Sequence, residues 1–165
     1  MKQLINFLAN RDQRVKSVQI QYSLLAPDFK KQNQVKKICQ ENNIDFFAYS
    51  PLSFGILCID PDKEENKEKS FIRNALFENY KKPTYELRRC LKRIANQRSV
   101  SQAQVAINWC CYQGAIPLVG MRKKSQVIDV SNVFNWNLNK NEFKLLQEVS
   151  KNCLKKMPKN PFSSI

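Results

Sequence analysis

The stretch Phe46–Leu57, which reads FFAYSPLSFGIL, decides how the rest of the chain is interpreted. It begins as an apolar run and breaks at Ser50 and Pro51, a pattern typical of a buried strand that leads into a loop. The loop also contains Ser53 and Gly55. Small polar groups after a strand are where α/β proteins commonly build ligand sites. Taken alone, the stretch is equally compatible with a core strand and an ordinary turn.

Length and composition are those of one globular domain. Of the 165 residues, 42% are hydrophobic and 25% are charged, which argues against a disordered chain and leaves enough apolar surface for a core. No apolar stretch is long enough to span a bilayer, and the first residues are too few and too polar for a signal peptide. We therefore expect a cytoplasmic protein without a membrane partner.

The cysteines and the missing histidines bear on redox state and metal binding. The chain has six cysteines and no histidine, and no two cysteines have CxxC spacing. A mixed zinc site cannot be completed without histidine. The pattern predicts reduced, mostly buried thiols and no metal site.

The net charge of +14 permits three kinds of partner. Nucleic acid, an anionic membrane surface and a phosphorylated small ligand all attract a basic protein. The charge selects none of them, and a lysine-rich solvated surface accounts for most of it.

The residues around the opening stretch predict strands that alternate with helices. Val18–Tyr22 alternates in polarity and predicts one strand, and Ile44–Tyr49 predicts the next. Between them, Lys31–Asn43 has the spacing of a basic amphipathic helix with Lys36 facing solvent, so the three elements form the βαβ unit of a parallel sheet. Ile116–Val119 predicts a third strand. Further helices are predicted over residues 2–10, 71–80, 83–98, 102–112, 123–134 and 140–151.

Three of these helices carry specific expectations. The helix over 83–98 is expected to present its basic residues to solvent: Arg88, Arg89, Lys92 and Arg93. Ser101 and Gln104 match a capping box, and the helix that they open is apolar nearly all round, which predicts burial. The helix over 123–134 is expected to face the core with Val127, Val130 and Phe134.

Three strands are too few for a complete α/β domain of a common type. A closed barrel needs eight strand–helix units, and a doubly wound sheet usually has about five or more strands. The chain is therefore predicted to be part of a larger α/β fold.

Four stretches, in this order and spacing, resemble the aldo-keto reductases: Gln19 with the YSLL at Tyr22–Leu25, then AYSPLSFGIL, SQAQVAINW and IPLVGMRKKSQV. The resemblance runs from about Val18 to Leu146, and all three glycines fall at family positions. Within the family, the chain is most similar to the bacterial and plastid-type reductases whose last strands read YSPL and IPxxG.

The resemblance implies a TIM (β/α)8 barrel that binds NADP(H) without a Rossmann domain. This chain would be a partial barrel: the last three strands, sixth to eighth, with their helices. Residues 1–165 would form the C-terminal half of the domain, and residues 152–165 its tail.

The resemblance also implies which residues hold the nicotinamide and the pyrophosphate. Gln19 would hydrogen-bond the nicotinamide amide, and the ring of Tyr49 would stack on the nicotinamide. The loop that wraps the pyrophosphate would contain Ser50, Leu52 and Gly55.

The adenosine and its 2′-phosphate would be bound by a later segment: Gly120, Met121, Arg122, Gln126 and Asp129. The physics agrees with this position, because phosphate sites in the barrel favour the loops after the last two strands and the helix N-terminus beyond. The family usually has Glu-Asn where this chain has Asp129 and Val130, which puts one adenine hydrogen bond in question.

No catalytic residue can be carried over from the family. Its Asp, Tyr, Lys and His lie in the first half of the barrel, and this chain starts after that half and has no histidine. We therefore expect the isolated chain to be inactive. A small carbonyl substrate would be the partner of the full-length protein, and the missing N-terminal half would be a partner of this chain. Exposed edges of a half barrel also predict aggregation.

Two alternatives remain open at this point. The chain could be a non-catalytic nucleotide-binding or regulatory protein, since the family contains such members. It could also bind nucleic acid through the basic helix around Arg88, with Lys81, Lys82 and the aromatic Tyr80 and Tyr85 beside it. That hypothesis has the least support, because no known nucleic-acid-binding module matches.

Overall fold

The computed structural model describes residues 2–9, 14–26, 29–63 and 77–158. The strands are β1 (Ser17–Gln21), β2 (Asp45–Tyr49) and β3 (Ile116–Leu118). The α-helices are α1 (Lys2–Ala9), α2 (Phe29–Glu41), α3 (Tyr85–Arg98), α4 (Gln102–Tyr112), α5 (Lys124–Ser131) and α6 (Lys140–Lys151). Two 3₁₀ segments follow β2 and α5, namely Ser53–Cys58 and Asn132–Asn135, and residues 77–81 are helical. The sequence also predicts a polar turn over 10–14, a loop closed by Pro27 and an exposed charged segment over 60–70. Most of these residues lie outside the described ranges, as do the start of the helix 71–80 and the end of the tail.

The three strands form one parallel sheet in the order β1-β2-β3. The register pairs Gln21 with Tyr49 and Tyr49 with Leu118. Parallel neighbours require a crossover, which contains α2 between β1 and β2, and α3 with α4 between β2 and β3. The expected parallel sheet with helical crossovers is confirmed, and each strand begins within one residue of its predicted start.

The sheet has one face covered by helices and one face that is open. On the covered face, Phe46 is 3% exposed and Ala48 is fully buried. The residues next to them in sequence point the other way, because side chains alternate along a strand. We call this second surface the open face, and the register assigns to it Gln19, Gln21, Phe47, Tyr49, Ile116 and Leu118. Among these six residues, Gln21 is buried. Ile116 and Leu118 are 44% and 40% exposed there.

Helix α4 is the centre of the core, as its all-round apolar sequence predicts. Every residue from 104 to 110 is buried. The ring of Trp109 stacks on Tyr22 at 5.4 Å and on Phe143 at 6.4 Å between centroids. The helix thereby connects the end of β1 to α6. Gly114 follows its end with a φ of 74°, a conformation that suits glycine.

The N-terminal caps of α4 and α6 differ in how many of their hydrogen bonds form. Ser101 Oγ accepts a hydrogen bond from the N–H of Gln104 at 3.1 Å, but the side chain of Gln104 is bonded elsewhere. At α6 the complete capping box forms, because Asn139 Oδ1 accepts from the N–H of Glu142 and Glu142 Oε2 accepts from the N–H of Asn139. The box predicted for α4 is therefore half confirmed, and the box at α6 is complete.

The prediction that Arg88 faces solvent is wrong. Arg88 is 3% exposed, and its guanidinium donates to Thr84 Oγ1 at 3.1 Å. It also donates to the carbonyl oxygens of Ile59 and Lys81 at 3.4 and 2.6 Å. Burial lowers the pKa of Arg88. The guanidinium thus joins the segment before α3 to the loop after β2, and helical periodicity alone could not reveal these acceptors.

A smaller correction concerns Lys36 in α2. It is half-buried rather than exposed, and its ammonium donates to Gln113 Oε1 at 2.5 Å. Burial lowers the pKa of Lys36. The bond joins α2 to the end of α4.

The predicted inward face of the helix over 123–134 is wrong for Val127 and Phe134, which are 50% and 77% exposed, whereas Val130 is half-buried. Val133, which the prediction did not name, is 2% exposed. The α-helix ends at Ser131, and the winding then tightens to 3₁₀. A 3₁₀ turn has about three residues instead of 3.6, so the side that faces the core shifts along the sequence.

The segment after α6 returns to the loop after β1. Ser150 Oγ donates to the carbonyl oxygen of Leu24, and the N–H of Met157 donates to that of Leu25 at 2.9 Å. Met157 is 2% exposed. The last described residues therefore close over the loop that follows the first strand.

The cysteine and membrane expectations can be compared with the described residues. All six cysteines are free thiols, and Cys39, Cys90 and Cys110 are buried. No group of histidine, cysteine or acidic side chains suited to a metal ion occurs in the described ranges. Within those ranges, none of the helices combines the length and the apolar character that a membrane crossing requires.

Replacing Arg88 with methionine is expected to lower the free energy of unfolding by about 1 to 3 kcal/mol, because the carbonyl groups of Ile59 and Lys81 lose a donor. The matched control is Arg89→Met, at an exposed position one residue along. It should change stability by less than about 0.5 kcal/mol. Urea unfolding followed by circular dichroism measures both. Unchanged stability of Arg88→Met would mean that the cost of burying the cation cancels its hydrogen bonds.

The buried thiol of Cys110 is expected to make stability fall at alkaline pH. Burial, with Cys111 nearby, raises the pKa of Cys110, whereas an unfolded thiol ionises near a pKa of about 8.5. The stabilisation is fully present below that pH. Above it the unfolded chain loses a proton that the folded chain keeps, so stability falls by up to about 1.4 kcal/mol per pH unit.

Urea unfolding of the wild type and of Cys110→Ala, from neutral pH to about two units above the reference thiol pKa, isolates this effect. The small cavity left by alanine shifts stability equally at every pH, so the pH dependence of the difference reports the thiol. A difference that stays constant across the range would contradict the prediction.

Candidate functional site at the carboxyl ends of the strands

The carboxyl ends of all three strands meet at one edge of the sheet, because the strands are parallel. Tyr49 is the last residue of the central strand, and the register places it between Gln21 and Leu118. The N–H of Tyr22 donates to the carbonyl oxygen of Tyr49 at 3.2 Å, which extends the pairing past the end of β1. Tyr49 is half-buried, so part of its side chain stays accessible on the open face.

The loop after β2 has an unusual backbone. Ser50, Ser53 and Phe54 have φ of 53°, 51° and 57°, and Gly55 has φ of 96°. The left-handed region costs roughly 1–2 kcal/mol for a residue with a Cβ. Such conformations persist where the surrounding structure determines them, and they concentrate at functional sites. Successive N–H groups in turns with left-handed residues can form concave anion-binding surfaces.

Hydrogen bonds within the loop and to the neighbouring loop hold this backbone. The N–H of Ser53 donates to the carbonyl oxygen of Ser50 at 2.9 Å, and the N–H of Gly55 donates to that of Leu52 at 2.9 Å. Ser53 is fully buried, and its Oγ lies 2.9 Å from Ser23 Oγ. Of the two hydroxyls noted in the sequence, Ser53 is therefore structural, while Ser50 is half-buried and remains accessible.

The loop after β3 leads into α5 with a cluster of cations. Arg122, Lys123 and Lys124 are exposed, and among the described residues no ion pair involves them. Gln126 Oε1 accepts from the N–H groups of Arg122 and Lys123 at 2.8 and 3.0 Å. Gln126 thereby fixes the backbone that carries Arg122. The N-terminus of α5 adds the positive end of a helix dipole to the same place.

Gly120 precedes this loop in open space. A Cβ built on it would meet no atom within 4 Å. The surrounding protein therefore does not require a glycine at this position. A group that approaches the backbone closely from outside would require one.

Asp129 faces the protein, where both of its carboxylate oxygens accept hydrogen bonds. Ser101 Oγ donates to Oδ2 at 2.6 Å, and Gln104 Nε2 donates to Oδ1 at 2.7 Å. Gln104 Oε1 in turn accepts from Trp136 Nε1 at 3.1 Å. These bonds fasten α5 to the start of α4.

The start of α4 also contacts the loop after β2. Gln102 Nε2 lies 3.3 Å from the carbonyl oxygen of Leu57 and 3.4 Å from that of Ile59. One helical turn, with Ser101, Gln102 and Gln104, thus positions both segments that follow the last two strands. The sequence identified this turn as a capping box and as part of a stretch that resembles the family, and neither signal assigned a role to Gln102.

Gln19 lies on the open face, in the middle of β1 rather than at the strand end. It is exposed, and its register partner is Phe47, two residues before Tyr49. The structure therefore brings most of the predicted residues to one edge and leaves Gln19 on the adjoining surface. At or after strand ends lie Tyr49, Ser50, Leu52, Gly55, Gly120, Met121 and Arg122, and in α5 lie Gln126 and Asp129.

Comparisons with known proteins agree with this architecture. The model of a family described as the aldo/keto reductase family matches residues 2–151. The chloroplastic pyridoxal reductase of Arabidopsis thaliana is 32% identical over 159 residues, which cover 96% of this chain and 43% of that protein. Rhazimal reductase 2 of Alstonia scholaris is 28% identical over 120 residues, which cover 72% of this chain and 30% of that protein.

Solved structures show a similar fold at lower identity. The glycerol dehydrogenase of Gluconobacter oxydans has a TM-score of 0.67 at 22% identity, covering 90% of this chain and 46% of that one. An aldo-keto reductase from a Medee basin deep-sea metagenome library has a TM-score of 0.63 at 17% identity, covering 98% of this chain and 48% of that one.

The chain spans less than half the length of each of these relatives. The family match nevertheless covers most of the chain, and the three-stranded sheet with its helical crossovers is consistent with part of an α/β barrel. The chain belongs to the aldo/keto reductase family.

Proposed function

We propose that the chain is the cofactor-holding part of an NADP(H)-dependent aldo-keto reductase, an oxidoreductase that reduces aldehydes or ketones by hydride transfer when its barrel is complete. Its strands would be the sixth, seventh and eighth of that barrel. The observation that carries the proposal is the meeting of separate segments at one sheet edge, each bearing residues that the family resemblance assigns to the cofactor. The residues that it assigns to catalysis have no counterpart in the sequence.

The proposed nicotinamide end of the site is the open face near Tyr49. A half-buried ring at the end of the central strand offers a flat, partly accessible surface for stacking. Gln19 is exposed on the same face and can both donate and accept, as recognition of an amide requires. Their places at successive levels of the sheet suit an elongated ligand that enters from the strand ends.

The proposed pyrophosphate position is the loop after β2. Ser50 offers a hydroxyl, and the left-handed residues Phe54 and Gly55 suit a concave arrangement of backbone N–H groups. The buried pair of Ser23 and Ser53 holds this shape in advance. A preformed loop loses less conformational entropy when a ligand binds.

The proposed adenosine and 2′-phosphate position is the N-terminus of α5, with Met121 beside it. Arg122 would pair with the phosphate, since a guanidinium offers two parallel donors and stays charged. Gly120 leaves open space for a close approach, and Gln126 fixes the backbone of Arg122. Asp129 remains in the proposed set, because each oxygen that it uses toward α4 keeps a second acceptor position.

In this proposal the chain binds and orients the cofactor and moves no proton. NADPH supplies the hydride when it is bound. Carbonyl reduction also needs a positioned acid, and the proposed source of that acid is a part of the barrel that this chain does not contain. The proposed location is the cytoplasm, which suits six unpaired thiols.

The contacts of the basic helix disfavour the nucleic-acid alternative. Arg88 is buried, Lys92 donates to Asp60 at 2.5 Å, and Arg89 pairs with Glu86 at 3.0 Å. The helix therefore presents less free positive charge than its sequence indicated.

The purified chain is expected to bind NADPH more tightly than NADH, and Arg122→Gln is expected to remove most of that preference. A hydrogen bond to a charged group contributes about 1.5–3 kcal/mol, so affinity for NADPH should fall about 10- to 100-fold while affinity for NADH changes little. Calorimetry or fluorescence quenching at one fixed salt concentration measures both.

The matched control is Lys144→Gln, which removes one exposed cation from α6. It should leave the preference for NADPH unchanged. A folded, monodisperse wild-type chain that fails to bind NADPH would refute the proposed site. Equal losses of NADPH affinity in the two variants would mean that only the change in net charge matters.

The chain alone is expected not to reduce aldehydes or ketones, because the proposed acid lies outside it. Loss of NADPH absorbance with a panel of small carbonyl compounds measures this directly. Turnover that persists in repurified protein and disappears in Arg122→Gln would contradict the assignment of catalysis to another part of the barrel.

A further inference from the structure

We propose that a cavity beside the start of α3 binds a small phosphate ester, at a site separate from the candidate site at the strand ends. The cavity has a volume of about 600 Å³. Pockets for small ligands commonly have volumes of about 300–1,000 Å³. None of the described residues that line the cavity belongs to the candidate site. Binding here therefore does not depend on the proposed NADP(H) site.

Positive charge exceeds negative charge in the wall of this cavity. Glu86 pairs with Arg89 at 3.0 Å, and the side chains of Lys81 and Glu78 form an ion pair. Among the described residues, no carboxylate forms an ion pair with the other three cations of the wall. These cations attract an anion. The charged residues that line the cavity are Lys63, Glu78, Lys81, Lys82, Glu86 and Arg88.

Arg88 carries a buried charge that is bonded to neutral acceptors. It is 3% exposed, and its guanidinium donates to Thr84 Oγ1 and to the carbonyl oxygens of Ile59 and Lys81. These bonds use three of the five N–H groups that a guanidinium has. Burying a charge is costly unless an opposite charge compensates for it. A phosphate in the cavity would supply that charge and further acceptors.

Asp60 compensates the charge of Arg88 only in part. The carboxylate of Asp60 accepts from Lys92 Nζ at 2.5 Å, and this hydrogen bond is the main reason that the pKa of Asp60 is lowered. Burial lowers the pKa of Arg88 by more than Asp60 and Tyr85 raise it. The described chain therefore leaves positive charge in the wall of the cavity.

The guanidinium of Arg88 is held in place before a ligand binds. The hydroxyl of Thr84 donates to the carbonyl oxygen of Tyr80 at 2.7 Å, and its oxygen accepts from Arg88 Nε at 3.1 Å. The backbone is fixed as well, because the carbonyl oxygen of Arg88 lies 3.4 Å from Gln102 Nε2. Side chains that are already ordered lose less entropy on binding. The planar guanidinium suits the oxygens of a phosphate.

The rest of the wall indicates that the ligand has an organic part beside its phosphate. Tyr85 is 38% exposed and lines the cavity together with Pro61. The guanidinium carbon of Arg89 lies 6.0 Å from the centroid of the Tyr85 ring. An inorganic phosphate ion would fill only a small part of a cavity of about 600 Å³. We therefore expect a phosphate ester whose organic part packs against Tyr85 and Pro61.

The charges in the wall favour a small molecule over nucleic acid. A nucleic acid brings several phosphates to a protein surface, and Glu78 and Glu86 in the same wall would repel them. Arg88 is buried, so a long backbone that lies across the surface has little access to it. A single phosphate group inside the cavity can approach Arg88 and Lys82 together.

Titration of the isotopically labelled full chain with inorganic phosphate and with phenyl phosphate, followed by NMR spectroscopy, tests the site. We expect saturable shifts of the Arg88 Nε–H signal and of the backbone N–H signals of Lys82 and Tyr85. Phenyl phosphate should bind about threefold or more tightly than inorganic phosphate, because its ring packs against Tyr85.

Two substitutions at exposed positions should change the affinity for phenyl phosphate in opposite directions. Lys82→Gln should weaken binding about fivefold, whereas Lys144→Gln, which removes an exposed cation from α6, should leave it unchanged. Glu86→Gln should strengthen binding about threefold, because a like charge is removed, and its matched control is Glu148→Gln in α6. Loss of folding cannot produce a gain and a loss of this kind.

Four results would overturn the proposal. Shifts confined to residues 122–124 would place the anion at the candidate site instead of the cavity. Equal losses in Lys82→Gln and Lys144→Gln would mean that only net charge matters. A short single-stranded oligonucleotide that binds more tightly than phenyl phosphate and shifts the same signals would identify nucleic acid as the ligand. A chain that is folded by circular dichroism and shows no saturable shift would have no such site.

Discussion

The placement of β2 between two parallel strands is the constraint on which the rest of the structure depends. The register that joins Tyr49 to Gln21 on one side and to Leu118 on the other brings all the following loops to one edge. Among the described residues, the crossovers place helices against one face of the sheet and leave most of the opposite face at least partly exposed. The candidate site and the open face are thus two results of the same pairing.

The start of α4 fixes the positions of the segments that follow β2 and β3. Polar side chains lie at the N-terminus of this buried helix, where the backbone needs partners in any case. Ser101 and Gln104 reach α5, and Gln102 reaches the loop after β2. The two loops that follow the last strands are therefore held by one rigid element rather than by each other.

Local sequence patterns predicted the elements better than the environment of individual charged residues. The strands and the burial of α4 follow from spacing that a few neighbouring residues define. Arg88 was misplaced because one of its acceptors, the carbonyl of Ile59, lies 29 positions away in sequence. Phe134 was misplaced because the helix changes its winding after Ser131, which the apolar spacing does not indicate.

The candidate site, too, was predictable from the sequence only in part. The residues assigned to the cofactor came from motifs, and their roles stay predictions, whereas their meeting at one edge follows from the parallel sheet. The contacts that hold them in place could not be anticipated, because a bond such as that from Gln102 to Leu57 joins residues 45 positions apart.

The return of the last helix to the first loop has a consequence for how the chain folds. Ser150 and Leu24 are 126 positions apart, and their bond can form only when nearly everything between them is already ordered. Such distant contacts delay folding, because the entropy of closing a long loop is lost before the contact forms. The chain is therefore not a row of interchangeable strand–helix modules that could be trimmed one at a time. Removing the residues after Ser150 would remove the bond from the N–H of Met157 to the carbonyl oxygen of Leu25, so the loop after β1 and the segment after α6 are expected to gain or lose order together.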